Sequence, residues 1–122
     1  LLLIRRKLKK GGQLIIGTPS VESLLSHVFG TYWYNLDTPR HLVLFSPRTL
    51  KRAIAESGFS SPHVEFCSAG GLLGSIQYVL REKFHLQWNL IHTQWIVILL
   101  YPFEWIVDKM RKGDVFILRA IK

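Results

Sequence analysis

The chain has 122 residues, 48% of them hydrophobic, which is enough for one domain with a modest core. Sixteen Lys and Arg against eight Asp and Glu give a formal charge of +8, a balance that favours acidic partners such as phosphates or anionic lipid surfaces. A lone cysteine, Cys67, excludes an internal disulfide and reads as a small buried apolar residue. No zinc-finger spacing and no RNA-binding aromatic signature is present, so no nucleic-acid partner is expected.

The chain starts at Leu1, and residues 1–9 already read as helical, so it is expected to be a piece of something longer. Its four leading apolar residues are too few for a secretory signal, and a cytoplasmic location is expected. Leu1, Ile4 and Leu8 share one helical face, and Arg5, Arg6, Lys7, Lys9 and Lys10 cluster on the other as a solvated surface. Gly11-Gly12 stops this helix, residues 13–18 form a short buried strand, and Gly17-Thr18-Pro19 breaks it. Ser20 then caps a helix whose apolar stripe is Val21, Leu24, Leu25 and Val28, ending at Gly30.

Residues 31–45 are an aromatic-rich connection without a clear period, and connections of that length are often functional. Tyr32, Trp33 and Tyr34 offer flat apolar surfaces with polar tips, Arg40 a permanent cation, and His41 a group that titrates near neutral pH. Aromatics that simply fill core gaps are an equal alternative. Ser46-Pro47 is a strong helix start, with Leu50 and Ile54 facing inward, Gly58 as the stop and Phe59 docking after it. Residues 62–68 alternate Val64 and Phe66 against His63, Glu65 and Cys67, as a strand with one buried face, and Gly70-Gly71 ends it.

Leu72, Leu73, Ile76, Val79 and Leu80 restore a helical period, and the twenty residues between Lys83 and Glu104 contain no Asp, Glu, Lys or Arg. His85, Gln87, Asn89, His92, Thr93, Gln94 and Pro102 interrupt that stretch too often for a membrane span. Packing on the sheet or on a partner subunit is the first expectation for it. Trp88, Trp95 and Trp105, with basic residues at both ends, also suit a segment that lies on a membrane through residues 84–112 or covers an apolar pocket. A short apolar strand, Val115–Ile121, closes the chain. Three strands alternating with about five helical segments make the fold α/β.

Three segments resemble the carboxyl-terminal half of a class I S-adenosylmethionine-dependent methyltransferase, in a broad bacterial group. Leu8-Lys9-Lys10-Gly11-Gly12-Gln13-Leu14-Ile15-Ile16-Gly17-Thr18-Pro19-Ser20 is similar to its LKPGG-x-L-x-I-x-TPN segment, with Lys10 for the proline and Ser20 for the asparagine. Pro39-Arg40-His41-Leu42-Val43-Leu44-Phe45-Ser46-Pro47-Arg48-Thr49-Leu50 is similar to PRH-L-x-x-FSP-x-TL, and Glu56-Ser57-Gly58-Phe59 to the AGF helix end, with Ser57 for the alanine. The tail from Tyr101 through Gly113-Asp114 also resembles the end of these enzymes, so the likeness covers almost the whole chain.

The resemblance implies a partial Rossmann-like sheet. Its strands would be the fifth, the sixth and an antiparallel seventh inserted between them and covered on both faces. Residues 1–122 would be the carboxyl-terminal part of one domain, and 72–110 an apolar helical insertion within it. It implies S-adenosyl-L-methionine as cofactor, held mainly by a glycine-rich loop and an acidic residue on strands that this sequence lacks, so this piece alone is expected to be inactive. Thr18, Pro19, Trp33, Arg40 and Phe45 would line the acceptor side, with His41 as general base and Arg40 holding an anionic group. The apolar segment and its basic flanks point to a small-molecule or lipid-like acceptor. The competing expectation is a non-enzymatic peripheral membrane or protein-interaction module.

Overall fold

The computed structural model describes residues 1–37, 39–68, 70–87, 89–90 and 93–122; Trp88 and His92, singled out above, lie outside the described residues. In chain order the elements are α1 (Leu2–Lys7), β1 (Gln13–Pro19), α2 (Leu24–Phe29), α3 (Pro47–Glu56), β2 (Ser60–Cys67), α4 (Gly71–Phe84), α5 (Gln94–Lys109) and β3 (Val115–Ile121). Two single 3-10 turns, Gly30–Tyr32 and Tyr34–Leu36, give the aromatic connection a local backbone of its own.

The three strands form one sheet in the order β1-β3-β2, with β3 antiparallel to both neighbours. The last strand is therefore central, and β1 and β2 run parallel to one another on either side of it. In this register Leu118 lies between Ile16 and Val64, and Phe116 lies between Thr18 and Phe66. Successive side chains of a strand point to opposite faces. One face thus collects Leu14, Phe116, Leu118 and Ala120, which with Leu50, Ile54 and Phe59 make the buried core.

The α3 helix covers that face because its ends are chemically well defined. Ser46 Oγ accepts from the Thr49 backbone N–H at 3.1 Å while Thr49 Oγ1 accepts from the Ser46 N–H at 3.0 Å, and Pro47 pre-sets the first helical position. Gly58, at φ 79°, allows the turn that drops Phe59 into the core.

Several sequence expectations change. The final strand is covered on one face only: Arg119 and Ile121 are exposed, as is Ile15 opposite Arg119, and Arg119 pairs with Glu65 across the open face at 3.2 Å. Ser23, not Ser20, caps α2, its hydroxyl accepting from the Ser26 N–H. Only Leu25 of the α2 stripe is buried; Val21, Leu24 and Val28 are exposed. In α1, Leu1 and Ile4 are exposed, and Leu8 alone reaches the core. Leu73, Gly74 and Ser75 are the buried residues of α4 beyond Gly71, while Leu72, Ile76, Val79 and Leu80 are half-buried. Cys67 is half-buried rather than buried.

Candidate functional site at the strand-exit rim

Where β1 ends and β3 begins, the chain builds a buried polar junction. The Ser20 N–H donates to the Asp114 carbonyl at 2.9 Å, and the Val21 N–H donates to the Phe45 carbonyl at 3.2 Å, tying the exit of β1 to the turn before β3 and to the end of the aromatic connection. The Asp114 carboxylate accepts from the Trp33 indole N–H, the Asn35 side-chain amide and, at 3.2 Å, the Ser23 hydroxyl. Burial pushes this carboxyl up from its ordinary range, and the three donors oppose that shift. Ser20, also buried, keeps a hydroxyl with no hydrogen-bond partner among the described residues.

A second carboxylate closes the junction from the other side. Glu104 on α5 is buried, accepts from the Leu72 N–H at 3.4 Å at the start of α4, and is also pushed up, first by burial and then by the charges of Asp114 and Asp108. Asp108, one turn on, accepts from the Ser68 N–H at 2.8 Å and the Ser68 hydroxyl at 2.9 Å. Acidic groups at a helix N-terminus are favoured by its dipole, so Glu104 and Asp114 together fill the start of α4.

The residues marked from sequence fall into two groups. Thr18 is half-buried and Pro19 buried at the end of β1, and Phe45 packs against the core beside them. Trp33 is only 2% exposed and its N–H is committed to Asp114. Arg40 and His41 lie on the turn after Asp37: Arg40 points into solvent and pairs loosely with Asp37 at 3.3 Å. His41 Nδ1 lies 3.1 Å from the Asn35 carbonyl oxygen. A carbonyl only accepts, so Nδ1 donates there.

A cleft of about 190 Å³ opens over this junction, lined by Val21, Ser26, His27, Trp33, Leu36 and Leu44. Neither Arg40 nor His41 lines it. His27 does, although no local motif marks it. Its Nδ1 lies 2.7 Å from the Ser23 carbonyl, an acceptor, so Nδ1 donates there as well. Asp114, Asn35 and Ser23 were also missed, because each looks ordinary until the fold brings them together.

The described residues do not form a cradle for the cofactor that the resemblance implies. The one strand–glycine–helix passage, from β2 through Gly70-Gly71 into α4, has its space taken. A Cβ on Gly71 would collide with the Asp114 carboxylate and one on Gly74 with the Tyr34 ring, so these glycines admit the protein's own side chains. Two carboxylates already occupy the helix start. Among the described residues, no group of three or more His, Cys, Asp and Glu could hold a metal ion, and no helix is long and apolar enough to cross a membrane. The chain matches no family model, no curated protein and no solved structure.

Proposed function

We propose that this chain supplies the acceptor side of a class I S-adenosylmethionine-dependent methyltransferase whose cofactor is held by strands outside these 122 residues. The observation that carries this reading is the reversed strand β3 lying between two parallel strands, joined to the three sequence segments described above. Two further features support it. The outer edge of β1 pairs with no strand among the described residues, and the second face of the sheet is uncovered at Ile15, Arg119 and Ile121. A sheet continued past β1 and covered on that face would satisfy both.

In this reading Thr18 and Pro19 form the rim, and the cleft above Trp33 takes an apolar or lipid-like acceptor. Catalysis of methyl transfer is largely a matter of positioning, with a histidine removing a proton from an oxygen or nitrogen nucleophile. His41, its ring oriented by the Asn35 carbonyl, is the candidate base for a nucleophile that extends past the cleft, which His41 does not line.

The test is titration of S-adenosylmethionine into the full-length protein that contains this chain, followed by transfer of a labelled methyl group into a lipid extract. Cofactor binding with label in the organic phase is expected. Absence of cofactor binding overturns the reading and leaves the non-enzymatic module.

A further inference from the structure

Helix α5 is apolar on nearly its whole circumference, yet only one side of it is packed. Its inner side carries Glu104 and Val107, both buried, and Asp108, bonded to Ser68. Its outer side carries Trp95, Ile98, Leu99, Pro102, Trp105 and Ile106, which recur at three- and four-residue steps along one face. Trp95 is 82% exposed, Leu99 77% and Ile98 63%. A helix hydrophobic all round is ordinarily buried on all sides. Contiguous exposed apolar surface of this kind marks an interaction site.

Charge selects the occupant. Both acids of α5 face inward and are held there by hydrogen bonds, so the outer face carries none. Its only charged residue is Lys109, whose ammonium lies 5.5 Å from the centre of the Trp105 ring. Arg111 and Lys112 follow directly, both exposed, and Arg111 also lines a cleft of about 490 Å³ with Arg48 and Lys51 of α3 and with the acid Glu22. Cations therefore predominate from the end of α5 to the start of α3.

We propose that α5 lies flat on an anionic lipid bilayer, its outer face in the acyl–headgroup boundary and Lys109, Arg111 and Lys112 against lipid phosphates. Sixteen residues make a helix about 24 Å long, short of the roughly 30 Å hydrocarbon core, so it lies on the surface rather than crossing. Tryptophans toward either end, with aliphatic residues between, suit the interfacial zone. The face offers only the indole N–H groups of Trp95 and Trp105 and the Lys109 ammonium as donors, which the interfacial zone can satisfy while the aliphatic residues enter the apolar phase. A second copy of the chain fits less well: a parallel symmetric contact would bring two Lys109 groups together, and an antiparallel one would set Lys109 against the Trp95 end, where residues 84–103 offer no acid to pair with it. This inference is independent of the methyl-transfer reading.

The experiment uses the full-length protein that contains this chain, with vesicles of phosphatidylcholine alone or with about 30% phosphatidylglycerol to supply an anionic surface. Flotation should recover at least about tenfold more protein with the anionic vesicles, and 0.5 M salt, at roughly a 4 Å screening length, should abolish the difference. The combined variant Trp95→Ser, Ile98→Ser, Leu99→Ser should lose binding to both vesicle types. Lys109→Gln, Arg111→Gln, Lys112→Gln should lose only the anionic preference. Far-UV circular dichroism must match the wild type in each case; these side chains point into solvent, and the basic triple tests the proposal separately should the apolar one unfold. Recovery by neither vesicle, or equal recovery of wild type and both variants, overturns the proposal. A concentration-dependent dimer that the serine variant dissolves, without vesicle binding by the wild type, assigns the face to a second copy and overturns it too.

Discussion

The indole N–H of Trp33 donates to a carboxylate oxygen of Asp114, residues 81 positions apart that meet where β1 leaves the sheet and β3 enters it. One bond thereby fixes the aromatic connection to the start of the central strand. Trp33→Phe keeps much of the ring and deletes the donor, leaving a buried carboxylate with one partner fewer. Such a loss costs about 1–3 kcal/mol. Urea unfolding should show it as a lower midpoint with an unchanged slope, and a midpoint equal to wild type would mean that Asp114 recovers a donor elsewhere.

Acid stability follows from the same junction. Burial raises the carboxyls of both Glu104 and Asp114. A carboxyl that is raised in the folded state binds its proton more tightly there than in the unfolded chain, so unfolding free energy falls as pH rises. The fall begins where unfolded carboxyls titrate, at about pH 4, and ends once the raised folded-state groups have ionised. Glu104→Gln keeps an oxygen for the Leu72 N–H and removes one of the two titrations. Measured between pH 4 and 8, the variant should gain on the wild type as pH rises, by up to about 1 kcal/mol. Parallel curves would show that Glu104 does not contribute.

Glycines divide by what surrounds them. A Cβ on Gly74 would enter the Tyr34 ring, whereas one on Gly17, in β1, meets nothing within 4 Å. Gly74→Ala should therefore destabilise by about 1–3 kcal/mol through overpacking. Gly17→Ala should be neutral or stabilise by about 0.5 kcal/mol by restricting the unfolded chain. The same chemical denaturation, run on the pair, distinguishes close packing from a general intolerance of alanine.

Features set by neighbouring residues were legible in the sequence. Ser46-Pro47 announced α3 because cap chemistry is local, and the apolar run Val115–Ile121 announced a short strand. Its central, antiparallel position came from the resemblance, not from periodicity. Exposure was not legible: the α2 stripe of Val21, Leu24 and Val28 shares a face, but periodicity says which residues lie together, not whether anything covers them. The site was read only in outline. Thr18, Pro19, Trp33 and Phe45 do gather at one rim, yet Trp33 is committed to structure, and its partner Asp114 looked like the second half of a turn. Contacts of 79 to 91 positions in separation, such as Asn35 and Ser23 with Asp114, leave no local signature.

His41 is where fold and proposed chemistry are most directly joined. Asn35 holds Asp114 with its side chain and the His41 ring with its carbonyl, so the imidazole is tied through one residue to the buried junction. The carbonyl accepts from Nδ1, so Nε2 is the ring atom that the proposed reaction would use to take a proton. A positioned general base contributes about 10²–10⁴ in rate. His41→Ala in the full-length protein should accordingly lower kcat for methyl transfer by about a hundredfold or more, with cofactor affinity unchanged. Asn35→Ala, which leaves the His41 contact to a backbone carbonyl but frees that backbone from Asp114, should lower kcat by less and also destabilise the fold. If His41→Ala transfers methyl groups at the wild-type rate, the base role passes to His27, whose ring is likewise held by a backbone carbonyl and which lines the cleft.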